Sequence, residues 1–468
     1  MISPIDRRFT PLALAPLCAI AALMASMPAE AKEGDAPTLQ QAIGNPANFR
    51  LSGSTRLRYE ALGGQTRVGF AESEDVFSIR TTLAGEYRTG NVRIGAEMYD
   101  SRTYGIATGS SVGTGEVNTF ELVQAYLTVD FPEAFGKGSR ASMQAGRMML
   151  NIGSRRLIAA DDYRNTTNGY TGIKLDAKLK DGSTATLLYV LPQLRLPDDI
   201  SSIKDNRPQV DRESFDMQLW GGLLAKPRVL GRTMAEIGYV GFAERDAPGR
   251  PTRDRHLQSI SARLMADPAP KRWDFEVEGI YQFGSSSSSL LATAPRQDVS
   301  AWFLHADLGY SFPGSLKARL SVEYDYVSGD GPDGANGRFD TLFGMRRGDF
   351  VPAGIYSQIH RANISTPGLR LEVAPTKRLD GFATYRPMWL ADRFDAFSTT
   401  GVRDATGRSG DFAGHTIEGR TRWWVLPKAL RAEVNGAWMI KGQFLKTAPN
   451  APRTGNTRYI SVAIIANF

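Results

Sequence analysis

Arginines at every second position, with acids between them, are the residues of this sequence that could recognise a ligand. Arg56, Arg58 and Glu60 follow one another at this spacing, and so do the charged residues of 418–422. A guanidinium group presents a planar fork of N–H donors that matches a carboxylate. Acids beside it would hold the fork in place and keep each contact weak, so that a polyanion could pass from one arginine to the next. The alternative is a salt-bridged ladder that only fills space.

The same alternation extends this charged set to other segments. The arginines that it places on one face include Arg56, Arg80, Arg319, Arg370, Arg420 and Arg422. The acids interleaved with them, which are the predicted counter-charges, include Glu60, Glu86, Glu323, Asp325, Glu372 and Glu418.

Two other motifs suggest different chemistry. The stretch "GSSVG" (109–113) fits the G-x-S-x-G pattern, with Ser111 as the nucleophile, but it lies in a glycine-rich loop without a strand–turn–helix context. An esterase would need a histidine such as His305 beside that serine, and the four histidines are far apart in the sequence. We therefore predict no catalytic residue. The sequence also contains no Walker loop that would supply energy.

The stretch "GDGPDGANGRFDTLFGMRRGDF" (329–350) begins like a calcium loop. Asp330, Asp333 and Asp340 could bind a calcium ion, although their spacing does not fit the EF-hand pattern. Turn chemistry explains the Gly, Pro, Asp and Asn residues as well. We expect no cofactor, and we keep calcium as an alternative for this stretch.

The elements that must position these charges are strands. In "NFRLSGSTRLRYEAL" (48–62), Phe49, Leu51, Leu57 and Tyr59 alternate with polar residues, and similar segments recur along the chain. A soluble sandwich also alternates, but here the polar faces are highly charged and the apolar faces begin and end with aromatic residues. This pattern predicts an all-β fold, a transmembrane antiparallel β-barrel with its polar face inward.

About 18 such segments can be counted, of which 118–131, 183–192 and 379–390 alternate weakly. Short connections such as "KDGS" (180–183) and "PG" (313–314) alternate strictly with long ones. Short periplasmic turns and long extracellular loops are the rule for outer-membrane barrels. A barrel of this size leaves an aqueous lumen.

The longest connection, 329–362, has an apolar centre that a loop surrounded by water would have no reason to carry. Phe339, Leu342 and Phe343 are therefore expected to pack against the barrel wall or other loops, with the connection folded into the pore. Asp349 would then face the pore, and Asp340 belongs to the same predicted pore loop.

The N-terminus predicts export. Arg7 and Arg8, the apolar run 11–27 and the small residues of 29–31 form a secretory signal peptide over 1–31. A periplasmic lead-in (32–47) and the barrel (48–468) follow. The formal net charge of +7 favours an anionic solute or an anionic membrane surface as partner. For an exported protein we expect no nucleic-acid partner.

Three stretches of the sequence, 145–166, 324–393 and 400–452, resemble the bacterial alginate export family of outer-membrane barrels. The resemblance implies an 18-stranded barrel with an arginine-rich lumen, loops that fold over the pore, and passive secretion of a uronic acid polymer. It adds candidates to the substrate pathway, which are Arg147, Arg155, Arg346 and Arg347.

These observations predict a passive, anion-selective channel of the Gram-negative outer membrane that secretes an acidic, alginate-like polysaccharide. The expected partners are that anionic polysaccharide or its oligosaccharides, outer-membrane lipid and periplasmic export scaffold proteins. One alternative is a substrate-specific uptake porin for organic acids or acidic oligosaccharides, because one scaffold serves both. A barrel enzyme or a mainly structural adhesin is the other alternative.

Overall fold

The computed structural model describes most of the chain, namely residues 36–161, 163–345, 349–350, 352 and 354–468. The predicted signal peptide, together with Arg346 and Arg347, lies outside these residues. Within them, no helix is long and apolar enough to cross a membrane.

Eighteen strands make up almost all of the regular structure in the described part of the chain. They are β1 (Phe49–Gly63), β2 (Ser73–Thr89), β3 (Val92–Tyr104), β4 (Asn118–Pro132), β5 (Arg140–Met148), β6 (Tyr170–Lys178), β7 (Thr184–Pro192), β8 (Met217–Leu230), β9 (Thr233–Glu244), β10 (His256–Ala266), β11 (Trp273–Ser287), β12 (Arg296–Ser311), β13 (Arg319–Val327), β14 (Ile364–Val373), β15 (Leu379–Trp389), β16 (Phe412–Leu426), β17 (Leu430–Lys441) and β18 (Thr457–Asn467). Three short helices lie outside the sheet, α1 (Leu39–Ala42), α2 (Ile200–Lys204) and α3 (Gln443–Thr447).

The strands form one antiparallel sheet that closes on itself. Each strand pairs with its neighbours in sequence, and β1 pairs with β18 over Ser54–Gly63. The predicted β-barrel and its strand number are thereby confirmed. The three segments that alternate weakly in sequence form β4, β7 and β15.

The two faces of the sheet separate as the alternation predicts. On β1, Leu57 faces outward and is 41% exposed, while Arg58 and Glu60 face the lumen and are 2% and 0% exposed. Successive side chains of a strand point to opposite faces, so one register fixes the environment of every residue on the strand.

Aromatic rings gather at both ends of the outward face. On β11 and β12, Trp273 packs against Tyr310 near one end, with ring centroids 5.2 Å apart. Near the other end Tyr281 stacks on Trp302 at 4.2 Å. Two aromatic levels on an apolar wall are typical of a barrel that spans a membrane.

The connections divide by length between the two ends of the barrel. One end, the turn end, carries short turns such as 90–91 and 427–429, and β1 begins and β18 ends on that side. The other, the loop end, carries the long connections. By the rule for outer-membrane barrels, the turn end faces the periplasm.

One long connection, the crossing loop (149–169), spans the lumen. Ser154 Oγ donates to Glu278 on β11 at 2.9 Å, and the carbonyl of Tyr163 accepts from Arg58 on β1 at 2.6 Å. β1 and β11 lie on opposite walls, because seven strands separate them one way around the described sheet and nine the other. The crossing loop therefore divides the lumen.

A second connection, the long loop (328–363), also turns inward and pairs with the crossing loop. Phe343 N donates to the carbonyl of Leu157 at 3.0 Å, and Ala159 N donates to that of Phe343 at 3.1 Å. Further along, the carbonyl of Ile355 accepts from Arg67 at 2.9 Å. The two loops together form a layer across the barrel, which we call the loop layer.

Some glycines of the wall sit where neighbouring backbone leaves no room for a side chain. A Cβ on Gly172 of β6 would lie 2.7 Å from the Cα of Val190 and closer still to the carbonyl oxygen of Tyr189. A Cβ on Gly279 of β11 would meet no heavy atom within 4 Å.

We therefore expect Gly172→Ala to destabilise the barrel by about 1–3 kcal/mol, the usual cost of overpacking. The matched variant Gly279→Ala should leave stability unchanged. The measurement is the temperature at which the folded, compact band is lost in heat-modifiable gel electrophoresis. Equal temperatures for the two variants would contradict the close approach of β6 and β7 at Gly172.

Candidate functional site

Among the described residues, seven arginines line a cavity of about 410 Å³ within the lumen. It lies towards the turn end, since Arg422 is near the end of β16 and Arg431 near the start of β17. The loop layer contributes Tyr163 and Met345 to it. We call this cavity the inner vestibule. Its lining residues are Arg56, Arg58, Arg155, Tyr163, Met345, Phe350, Arg370, Phe382, Glu418, Arg420, Arg422, Arg431, Glu433, Ala463 and Ile465.

On β1, two of these arginines also hold the crossing loop. Arg56 Nη2 donates to the carbonyl of Arg164 at 2.7 Å, and Arg58 Nε lies 3.2 Å from Glu60. The guanidinium of Arg58 also lies over the ring of Tyr163, 4.9 Å from its centroid. These two arginines therefore fix the loop layer while they contribute positive charge to the vestibule.

On the adjoining wall, an aromatic ring holds two arginines. The guanidinium carbons of Arg370 and Arg420 lie 3.9 and 5.0 Å from the ring centroid of Phe382. Arg370 Nε also donates to Glu372 at 2.7 Å, and Arg422 pairs with Asp380 at 2.8 Å. Acids and an aromatic face thus orient these guanidinium groups.

On the other side of the loop layer lies a larger cavity of about 800 Å³, the outer vestibule. In the described part of the chain, seven arginines and the acids Asp198, Glu244 and Asp340 line it. Its arginines are Arg164, Arg195, Arg250, Arg253, Arg255, Arg338 and Arg361. Cationic cavities therefore lie on both sides of the loop layer.

Asp349 joins the two loops through buried ion pairs. Arg156 of the crossing loop lies 2.6 Å from its carboxylate, and Arg361 lies 3.0 Å from it. Burial acts to raise the pKa of Asp349, but the positive charges of Arg156, His305 and Arg361 hold that pKa well below its ordinary value. Asp349 was expected to face the pore. It is instead enclosed, because its carboxylate is paired with both Arg156 and Arg361.

The ion-pair network continues from Asp349 into the wall. Arg386 of β15 donates to the backbone carbonyl of Asp349 at 2.9 Å and to Asp325 of β13 at 3.0 Å, and it also pairs with Glu323. His305 Nδ1 lies 2.7 Å from Asp325. The predicted counter-charges Glu323 and Asp325 therefore anchor the loop layer.

Three further predicted arginines are not among the lining residues of the inner vestibule and are held by protein groups. Arg80 Nη1 donates to the carbonyl of Arg164 at 3.2 Å. Arg147 bridges Glu121 at 2.6 Å and Glu213 at 2.9 Å. Arg319 of β13 is paired with Asp307 of the neighbouring strand β12 and with Asp274 of β11, one strand further along. Arg147 and Arg319 therefore fit the salt-bridged ladder, whereas Arg80 holds the backbone of the crossing loop.

Arg155, by contrast, lines the inner vestibule, as do Arg56, Arg370, Arg420 and Arg422.

The predicted counter-charges divide in the same way. Glu418 lines the inner vestibule, and Glu372 holds Arg370 beside it. Glu60 pairs with Arg58 and accepts from Tyr459 at 2.6 Å. Glu86 accepts from Tyr126 at 2.8 Å near the turn end.

The apolar residues of the long loop pack inside the barrel. Phe343 makes edge contacts with Tyr170 of β6 and Phe242 of β9, both at 5.7 Å between ring centroids. Phe339 packs against Phe303 at 5.8 Å and is 3% exposed. Leu342 packs against the same buried cluster. This packing accounts for apolar residues in the longest connection.

Comparison with known proteins gives the family. The model of the alginate export family matches residues 49–459. The chain belongs to this family. A comparison with curated proteins gave no match.

Solved structures show the same fold. OccK8 (OprE) of Pseudomonas aeruginosa has a TM-score of 0.58 at 10% identity, over 90% of this chain and 98% of that one. OccAB1 of Acinetobacter baumannii has 0.56 at 11%, over 94% and 99%. P. aeruginosa OccK2 (OpdF), solved in complex with glucuronate, has 0.55 at 11%, over 90% and 96%. With this fold and family, the protein is an outer-membrane channel of a Gram-negative bacterium.

The acids of 329–350 are used in the channel's own loop structure. Asp330 accepts from the N–H of Gly337 at 3.2 Å, and Asp333 accepts from that of Ala335 at 3.3 Å. Asp340 pairs with Arg255 at 2.5 Å. No group of three or more potential metal-ligating His, Cys, Asp or Glu side chains was found among the described residues. Turn contacts and an ion pair therefore account for these three side chains.

The two residues considered for esterase chemistry have different partners. Ser111 Oγ donates to Glu74 of β2 at 2.7 Å, whereas His305 is bound to Asp325 of β13. Each is thus engaged in a structural contact, as suits a channel.

Three residues that hold the site together are absent from the predicted set. Arg386 lies on the inward face of β15, so closer attention to that weak alternation could have identified it. Arg156 and Arg361 lie in loops, where no periodicity shows which way a side chain points. Sequence reasoning also missed Phe382, because an apolar residue of a barrel strand is expected to face lipid.

Removing the charge of Asp349 should loosen the loop layer. We expect Asp349→Asn to destabilise the channel by about 3–5 kcal/mol, because it leaves Arg361 buried without this acid. Thermal unfolding measures the loss, and single-channel recordings should show larger conductance fluctuations. The control Asp205→Asn removes an exposed pair with Arg207 and should cost less than about 0.5 kcal/mol. Equal unfolding temperatures would show that Asp349 does not join the loops.

Asp211, in the connection between β7 and β8, makes the stability of the folded channel depend on pH. Burial and the neighbouring charge of Glu121 raise the pKa of Asp211 to about 7. The folded state then binds the proton more tightly than the unfolded chain, so stability falls as pH rises from about 4 to about 7 and is flat above. At about 1.36 kcal/mol per pKa unit, we expect a loss of about 3–4 kcal/mol across this range, and Asp211→Asn should abolish this contribution. The measurement is the unfolding midpoint at pH 5 and at pH 8. The control variant Asp205→Asn should show the same difference between the two pH values as the wild type.

Proposed function

We propose that this channel is passive and anion-selective, and that it secretes an acidic polysaccharide composed of uronate units, such as alginate. The observation that carries the proposal is the inner vestibule, where seven arginines and two acids among the described residues line about 410 Å³. Such an excess of fixed positive charge in a confined space raises the local concentration of anions.

The arrangement of the arginines suits a polymer better than a single small anion. Cationic cavities on both sides of the loop layer would bind carboxylates that recur along a chain. Acids such as Glu372 and Asp380 neutralise part of each guanidinium's charge, which keeps every single contact weak. A polymer bound at many weak sites can advance without being trapped at one.

The comparisons support the choice of a uronate. The family match is to alginate export, which favours secretion over the alternative of uptake. OccK2, which shares the fold, was solved with glucuronate, and glucuronate is itself a uronate. On this proposal periplasmic export proteins would deliver the polymer to the turn end, and outer-membrane lipid would contact the apolar outer face.

Planar bilayer recordings of the purified protein test the proposal. We expect a reversal potential that shows preference for chloride over potassium, and concentration-dependent block by alginate oligosaccharides. Neutral dextran oligosaccharides of equal length are the control and should block far less. A preference for potassium, or equal block by the neutral sugars, would rule out the proposed selectivity.

A further inference from the structure

We propose that Phe382 is a positioning residue that holds Arg370 and Arg420 as a carboxylate-binding pair, and that this pair is where a uronate unit of the polymer docks from the periplasmic side. The inference rests on the proposed function and gives it a location.

The sheet register places the two arginines around this ring. Arg420 of β16 is the direct partner of Phe382, and Glu372 of β14 is its partner on the other side. Arg370 lies two residues from Glu372 on the same face and is therefore the diagonal neighbour of the ring. Direct and diagonal neighbours across strands are both within reach of an aromatic side chain. The two guanidinium groups consequently approach Phe382 from β14 and β16, the two strands that flank β15.

When a guanidinium group contacts an aromatic face, its N–H donors stay available for hydrogen bonds to other partners. The attraction acts through the ring quadrupole and uses no N–H group. The described contacts of Arg370 with acids are made by Nε, with Glu372 at 2.7 Å and Glu323 at 3.9 Å. Its two terminal nitrogens can then form the planar fork that a carboxylate accepts.

A purely space-filling role fits Phe382 poorly. The residue lines the inner vestibule, and its direct cross-strand neighbours, Arg420 and Glu372, are charged. An apolar side chain would lie on the outward face of this strand if burial were its function. The ring therefore has a use at this position that a polar side chain of the same size would not supply.

Charge also favours the inner vestibule as the docking place. Among its described lining residues, the inner vestibule has seven arginines and two acids around a volume of about 410 Å³. The outer vestibule has seven arginines and three acids around about 800 Å³. The positive charge is thus more concentrated on the turn side of the loop layer. A polymer that arrives from the periplasm meets this site before the loop layer.

The experiment measures block of single channels by alginate oligosaccharides added to one side at a time. For oligosaccharide on the periplasmic side, Phe382→Leu should weaken block about tenfold, while Phe382→Tyr, which keeps the ring, should stay within about twofold of wild type. Phe394→Leu removes an aromatic contact with Arg393 in an extracellular connection and should leave block unchanged. If Phe382→Leu fails to fold, Phe382→Met takes its place.

A double-mutant comparison separates positioning from a general structural effect. If Phe382 acts through the arginines, adding Phe382→Leu to Arg370→Gln/Arg420→Gln should weaken block no further. Additive losses, or wild-type block in Phe382→Leu, would overturn the docking site while the proposed function stands. A wild-type channel that alginate oligosaccharides do not block from either side would overturn both.

Discussion

Closure of the sheet is the constraint on which the rest of the structure depends. In lipid, backbone N–H and C=O groups without partners cost roughly several kcal/mol each, so a membrane-spanning sheet must pair its first strand with its last. Here β1 pairs with β18, and that register assigns every residue of the wall to lipid or lumen. The apolar outer face and the charged lumen are both consequences of this closure.

Closure of eighteen strands also creates a lumen too wide for wall side chains to fill. The crossing loop and the long loop occupy it, and their polar groups need partners there. Arg56 and Arg58 supply donors to the backbone carbonyls of the crossing loop. Asp349 ties both loops together. The charged side chains of the lumen thus hold the loop layer in place, and they also create the electrostatic field in the two vestibules.

The fold could be predicted from the sequence because alternation is a local property. A period of two along Phe49–Gly63 is enough to assign Arg56 and Arg58 to the lumen without knowledge of any other strand. The contacts of Asp349 could not be predicted, because Arg156 lies 193 residues away and neither loop has a period. The inward position of Phe382 was missed for a related reason, since one apolar residue on a polar face looks like a lapse in the pattern.

An arginine of the lumen can stabilise the protein structure or present positive charge to a ligand, and the side chains that contact it determine which of the two it does. Arg147 lies between two carboxylates, so its charge is neutralised by the protein and its position is fixed. Arg370 has an aromatic face and an acid at Nε, which orient the guanidinium and leave a net positive surface. An arginine surrounded by acids would bind an incoming carboxylate weakly, and one without any partner would hold it too long or lie disordered. An aromatic neighbour combines order with residual charge, and that combination suits a channel through which a polyanion must pass.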